Sequence, residues 1–137
     1  MVEDLEAVIR LVVAVFIGLS IGFSRKHKPA GMRTFALFCL GCTMFTLVSI
    51  NFNQPYADPS RVIAQIVTGI GFLGLGVIWR QGIGKPTGLT TAAAIWVTAA
   101  IGILIGLGMW PEVIIGTILT LGLLFSKGPL KMAHLEE

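Results

Sequence analysis

The sequence predicts an all-α integral membrane protein, a bundle of five transmembrane helices. Of its 137 residues, 55% are hydrophobic and 12% are charged, and the mean hydropathy is +0.87. A soluble domain carries about a quarter charged residues. The apolar residues form runs long enough to cross a bilayer, and all six prolines fall in turns or at helix starts. We therefore expect one transmembrane domain covering residues 1–137.

Turn signals separate the apolar runs in order along the chain. The predicted spans are residues 5–23, 34–52, 62–79, 88–108 and 110–125. Acidic residues and no basic segment precede the first span, which is typical of an uncleaved helix. A basic turn precedes the second span. Asp58 and Pro59 form a typical helix start before the third span, and Thr87 is the predicted cap of the fourth. A tight turn at Trp110 and Pro111 opens the fifth.

The distribution of basic residues predicts the orientation. Lys and Arg are concentrated in the turns after the first and third spans and in the C-terminal tail. Because basic residues are retained on the cytoplasmic side of a membrane, the N-terminus is predicted to lie outside and the C-terminus in the cytoplasm. We expect a multi-pass protein of a bacterial or archaeal inner (plasma) membrane.

A predicted outer polar cluster lies at the external ends of the spans. Its members are Glu6, Arg10, Asn51, Asp58, Arg61 and Gln65. Two carboxylates and two guanidinium groups make the cluster formally neutral. Magnesium sites use carboxylate oxygens in octahedral geometry, without guanidinium neighbours. Salt bridges within the cluster therefore explain it better than a metal site, and we expect no bound cofactor, with Mg²⁺ as the one ion to test.

Glycines dominate the third span and predict close helix packing. They are Gly69, Gly71, Gly74 and Gly76. Because the hydrocarbon keeps such a segment helical, glycine there allows another helix to approach closely. We expect the rest of the chain to pack around this helix. The alternative is a broken helix that lines a substrate path.

Two further pairs of glycines predict self-association. Gly18 and Gly22 in the first span, and Gly102 and Gly106 in the fourth, have the small-xxx-small spacing of helix contacts. A bundle of five helices has limited internal surface to cover both pairs. A homo-oligomer, as a dimer, is therefore predicted.

A second candidate site lies at the cytoplasmic starts of the second and fourth spans. Arg33, Thr34, Thr90 and Thr91 are placed there beside backbone N–H groups that have no intrahelical acceptor. Positive helix ends with guanidinium and hydroxyl donors suit an anion such as a phosphate or a lipid headgroup. Helix capping with topology-setting charge is the competing interpretation.

Other functional classes lack support in the sequence. Both histidines, His27 and His134, lie in predicted exposed segments, and no nucleophile, base and orienting group converge, so the chain is not predicted to be an enzyme. Cys39 and Cys42 lie inside an apolar run and are interpreted as small buried residues. The basic residues form no face with interleaved aromatics, which excludes nucleic acid as a predicted partner.

Four motifs in order resemble the MgtC/SapB family of membrane proteins. They are Ala30-Gly31-Met32-Arg33-Thr34, Asp58-Pro59-Ser60-Arg61, Gln65 with the following GIGFLGLG, and Gly88-Leu89-Thr90-Thr91-Ala92-Ala93. The resemblance implies a five-helix inner-membrane unit linked to growth in low magnesium and, in some pathogens, to survival inside macrophages. It further implies a regulator that restrains the F-type ATP synthase.

Two departures from the family pattern bear on function. Many relatives carry Glu where this chain has Ser24, which weakens any cation site that depends on that acid. Some relatives append a cytoplasmic ligand-binding-like domain, and we expect no regulation through such a domain here. The predicted function is a regulator that binds another membrane complex. The alternative is a transporter or channel for a small ion, with magnesium as the candidate.

Overall fold

The computed structural model describes residues 2–25, 30–52, 58–78 and 88–126, which form five α-helices with no strand among them. The helices are α1 (Val2–Phe23), α2 (Met32–Ile50), α3 (Pro59–Ile78), α4 (Leu89–Leu107) and α5 (Trp110–Phe125). Each of the first four is long and apolar enough to cross a membrane, and α5 is a shorter apolar helix of 16 residues. The predicted all-α membrane bundle is confirmed.

The helix boundaries differ from the predicted spans by at most three residues. One of these differences is at the start of α3, which begins at Pro59 rather than at residue 62. The Asp58 carboxylate accepts hydrogen bonds from the Ser60 backbone N–H (3.0 Å) and the Ser60 hydroxyl (2.6 Å), so Asp58 caps α3 as predicted. The N-cap of α4 is Gly88, at φ +83° and without a side-chain cap. The predicted cap, Thr87, lies outside the described residues.

Contacts between helix ends show that helices consecutive in sequence run antiparallel, whereas α2 and α4 lie side by side in the same direction. The Ser49 hydroxyl, near the end of α2, donates to the Pro59 carbonyl at the start of α3 over 2.8 Å. Arg10 of α1 reaches Gly106 near the end of α4. We call this end of the bundle the Asn51 end. At the opposite end, Arg25 reaches the Thr90 carbonyl at the start of α4, and we call this the Thr90 end.

Helix α4 lies at the centre of the bundle, where α1, α2, α3 and α5 all contact it. Its buried residues recur along its whole length: Thr91, Ala92, Ala94, Ile95, Thr98, Ala99, Ile101, Gly102, Ile103, Ile105 and Gly106. Helix α3 buries only Ile66, Ile70 and Gly74 among its described residues. The expectation that the chain packs around α3 is therefore wrong, because α4 holds that position.

Glycines bring α2 into close contact with α1 and α4. A Cβ atom on Gly18 would lie 2.6 Å from the Ala36 Cα, and one on Gly22 would lie 2.5 Å from the Met32 Cα. Close approaches of this kind are the usual role of small residues between membrane helices. Gly102 and Gly106 of α4 meet α2 in the same way. Both glycine pairs are thus used inside one bundle, and the expectation that they form surplus surface for self-association is wrong.

Three fully buried threonine hydroxyls in the core donate to backbone carbonyls. Thr43, Thr46 and Thr98 each donate to the carbonyl four residues earlier in their own helix. The Thr43 hydroxyl also lies 2.8 Å from the Gly102 carbonyl and so links α2 to α4. Such groups can lie in hydrocarbon because each has an acceptor within the protein. The core is therefore filled by apolar side chains and internally bonded hydroxyls.

Candidate functional site

At the Asn51 end, Arg10 joins α1 to the last turn of α4. Its Nη2 forms an ion pair with Glu6, one helical turn earlier, as expected for the outer polar cluster. Its Nη1 donates to the Gly106 carbonyl over 2.6 Å. The guanidinium also covers Gly108, at φ +74°, where a Cβ atom would lie 2.6 Å from Nη2. The cation therefore lies at the negative end of the α4 dipole, a stabilising position.

A polar crevice of about 220 Å³ opens beside this ion pair. Its lining residues are Glu6, Ala7, Arg10, Leu47, Ile50 and Asn51. The Asn51 amide donates to the Leu47 carbonyl over 2.8 Å. The crevice thus holds one carboxylate, which is already paired with a guanidinium. Within the described ranges, no group of three His, Cys, Asp or Glu residues is placed to hold a metal ion.

The remaining members of the outer polar cluster belong to α3 and its cap. Asp58 is engaged by Ser60, and these hydrogen bonds, with a smaller contribution from Arg61, hold the pKa of the Asp58 carboxyl below its ordinary value. Arg61 and Gln65 are exposed. The predicted cluster is therefore divided into Glu6, Arg10 and Asn51 around the crevice and a separate group on α3. The Gly106 and Gly108 contacts of Arg10 were not predicted.

An apolar groove of about 440 Å³ lies between α2 and residues 62–73 of α3. Its lining residues are Leu37, Phe38, Gly41, Cys42, Phe45, Val62, Gln65, Ile66, Gly69, Ile70 and Leu73. Gln65 is the polar member, and its amide makes no hydrogen bond within the described part of the chain. Cys42 is a free, buried thiol, and so is Cys39, as predicted.

Most glycines of α3 are open to the surroundings of this single chain. A Cβ atom on Gly69, Gly71 or Gly76 would meet no atom within 4 Å. On Gly74 it would lie 3.8 Å from the Ala92 Cβ, which is an ordinary contact. The predicted close packing of these four glycines is thus absent within the described bundle, apart from the contact at Gly74. Gly69 and Gly76 lie on one uncovered face of the helix, and Gly71 is exposed on another side.

At the Thr90 end, the structure brings Arg25 rather than Arg33 to the start of α4. Arg25 is only 2% exposed, and its Nη2 lies 3.4 Å from the Thr90 carbonyl. Burial lowers the pKa of the Arg25 guanidinium from its ordinary value. Arg33 is exposed, and no hydrogen bond within the described residues joins it to Thr90 or Thr91.

The two predicted threonines of α4 differ in exposure, since Thr90 is exposed and Thr91 is buried. Thr34 of α2 is half-buried. Sequence reasoning missed Arg25 because it lies in a basic turn, where each cation has the same topological explanation. The sequence signal that could have singled out Arg25 is its position directly after an apolar span.

Five helices, four of them long and apolar enough to cross a bilayer, define a multi-pass α-helical membrane protein. The sequence profile of the MgtC family matches residues 11–133, and the chain belongs to this family. No solved structure matches the chain significantly.

Curated relatives share about two-fifths of their aligned residues with this chain. A protein of Escherichia coli named putative magnesium transporter YhiD is 43% identical over 127 residues, covering 85% of this chain and 58% of the relative. Protein MgtC of Salmonella typhimurium is 42% identical over 116 residues, covering 83% and 49%. Protein SrpB of Synechococcus elongatus is 41% identical over 126 residues, covering 82% and 69%. The chain thus spans about half to two-thirds of the length of these relatives.

Proposed function

We propose that this protein is a membrane regulator linked to adaptation to low magnesium, and that it acts by binding another membrane complex rather than as an enzyme. The observation that carries the proposal is the uncovered face of α3. The F-type ATP synthase, which the family resemblance implies, is the first candidate complex. If the protein belongs to a pathogenic bacterium, a role in virulence would follow from the same activity.

The uncovered face consists of Gln65, Gly69, Phe72 and Gly76, and we call it the α3 face. Gly69 and Gly76 follow Gln65 by four and eleven residues, and so lie within about 40° of it around the helix axis. Phe72 lies between the two glycines and is 77% exposed. Small residues flanking a large one offer a partner helix both close approach and an apolar contact.

Gln65 supports a protein partner for this face. It lies about 9 Å along the helix axis from Pro59, inside the apolar part of α3. An amide without a hydrogen-bond partner is costly in hydrocarbon, and lipid chains offer it none. A side chain from a partner helix, inserted into the groove between α2 and α3, would supply both the hydrogen bond and apolar filling.

Cysteine cross-linking tests the α3 face. Gly69→Cys is compared with Gly122→Cys on α5, because both positions are exposed and an added Cβ atom meets nothing within 4 Å at either one. We expect Gly69→Cys to cross-link a distinct membrane protein in native membranes, and Gly122→Cys not to do so. Equal yields at the two positions would contradict the proposal. Cross-linking only to a second copy would assign the face to the predicted homo-oligomer and overturn the regulator interpretation.

The alternative function is transport of a small ion. The polar crevice at Glu6 and the name of the Escherichia coli relative, putative magnesium transporter YhiD, favour it. Against it, the core beneath the crevice is filled by apolar residues, and the Glu6 carboxylate is paired with Arg10. Magnesium flux into liposomes containing the purified protein is the test. Selective flux that Glu6→Gln abolishes would overturn the regulator proposal, whereas we expect flux no greater than in empty liposomes.

The proposed orientation puts the Thr90 end in the cytoplasm of a bacterial or archaeal cell. Ten Lys and Arg residues are present, and only Arg10 and Arg61 belong to the Asn51 end, so the other eight belong in sequence to the Thr90 end. The positive-inside rule supports this orientation in the inner membrane.

A further inference from the structure

The described residues satisfy the buried guanidinium of Arg25 only in part. The residue is 2% exposed, and its buried Nε atom has no hydrogen-bond partner among the described residues. The bond from Nη2 to the Thr90 carbonyl, at 3.4 Å, is long for a charged donor. Leaving a buried, charged donor unpaired is costly, so this position calls for an additional acceptor.

Two helix starts flank Arg25. The contact of Gly22 with Met32 places the end of α1 against the start of α2, and the Thr90 contact places Arg25 against the start of α4. The first backbone bond of α2 runs from the Phe35 N–H to Gly31, and that of α4 from the Ala92 N–H to Gly88. The three preceding N–H groups of each helix have no intrahelical acceptor.

Within the part of the chain that the structure describes, no side chain caps either helix start. Gly31 and Gly88 are the N-cap residues, and neither supplies a side-chain hydrogen bond. The positive ends of two helix dipoles and a guanidinium therefore occupy one region. In sequence, the segments at this end contain eight Lys and Arg residues, and their only acidic residues are Glu136 and Glu137.

We propose that Arg25 and the starts of α2 and α4 bind a phosphate group, from a lipid headgroup or from free phosphate. A guanidinium donates from several N–H groups arranged as a fork, which matches the oxygens of a phosphate. The remaining oxygens face helix N-termini, where phosphates bind through backbone N–H groups. Burial disfavours the charged form of Arg25 and so lowers its pKa, and an anion bound beside the guanidinium offsets this cost. The site does not depend on the α3 face or on a partner complex.

The test measures the thermal unfolding midpoint of the purified full chain in detergent. Inorganic phosphate, phosphatidylglycerol and diacylglycerol are titrated separately, the last as a lipid without phosphate. If phosphatidylglycerol alone stabilises the protein, the bound phosphate comes from a lipid headgroup. If inorganic phosphate also stabilises it, the site is open to the free anion. Either result supports the shared chemistry. Equal stabilisation by diacylglycerol and phosphatidylglycerol, with no effect of inorganic phosphate, overturns it.

Matched variants locate the binding. Arg25→Gln and Arg33→Gln remove the same charge from the same end, but only Arg25 is buried. We expect Arg25→Gln to weaken phosphate binding at least about tenfold, the loss expected for a charge-assisted hydrogen bond, and Arg33→Gln to change it by less than about threefold. Equal losses in the two variants overturn the site.

If the Arg25→Gln variant does not fold, Arg25→Lys replaces it in the phosphate-binding test. The lysine keeps the charge but lacks the guanidinium fork. Weaker phosphate binding by this variant supports the site, and unchanged affinity overturns it.

Discussion

Replacing Gly102 with alanine should force α4 away from α2. The added Cβ atom would lie 2.6 Å from the Cys39 carbonyl oxygen and 2.9 Å from the Cys42 Cβ. Ordinary contacts begin at 3.4 Å, so the helices must separate by about 0.8 Å (3.4 − 2.6). A gap of this size forfeits a quarter to a half of each van der Waals contact along the interface, and it also stretches the Thr43 bond to Gly102.

The matched control is Gly71→Ala, because an added Cβ atom there meets nothing within 4 Å. Both variants gain the same helix propensity, so their difference isolates the steric effect. Overpacking of this kind costs about 1–3 kcal/mol. We expect Gly102→Ala to be less stable than Gly71→Ala by that amount, measured as the free energy of unfolding in mixed micelles titrated with SDS. Equal stability of the two variants would refute the packing of α2 on α4.

Three further predictions concern the ends of the bundle. Arg10→Gln should lower the free energy of unfolding by about 1.5–3 kcal/mol through the lost charged bond to α4, whereas Glu6→Gln, at a half-exposed ion pair, should lower it by less than about 1 kcal/mol in the same SDS titration. Asp58→Ala should lower the thermal midpoint at pH 7. Because the folded pKa of Asp58 is depressed, its stabilisation is present above its unfolded pKa of about 4 and disappears as the pH falls through the folded value, so the two midpoints should converge in acid. In intact cells, a membrane-impermeant thiol reagent should label Asn51→Cys but should label Ser126→Cys only after permeabilisation. The reverse pattern would contradict the orientation.

The five helices could be predicted because hydrocarbon leaves an apolar segment of sufficient length no alternative to a helix. The caps at helix starts depend on neighbouring residues, and Asp58 was predicted correctly for that reason. The central helix could not be predicted in this way. Glycine pairs with the same spacing occur in α1 and α4, and α3 is the richest in glycine, but the helix that approaches each pair is decided by the packing of distant segments.

The candidate sites show the same division between local and distant contacts. The pairing of Glu6 with Arg10 follows from their spacing on one helix. The bond from Arg10 to Gly106 joins residues 96 positions apart, and no local pattern indicates it. Arg25 looks like any other topology-setting cation until its burial is known.

The central position of α4 has a consequence for biogenesis, because this helix is made fourth. As the chain leaves the ribosome, α1 and α2 can pair at once through Gly18 and Gly22. Helix α3 can meet α2 at once through Ser49 and Pro59, but its contact with α4, at Gly74 and Ala92, must wait until α4 is made. A chain released before Leu89 should therefore contain an intact α1–α2 hairpin and an α3 that touches α2 but lacks its contact with α4. Insertion of α4 is therefore the step that gives α1, α2 and α3 a shared partner and completes the core.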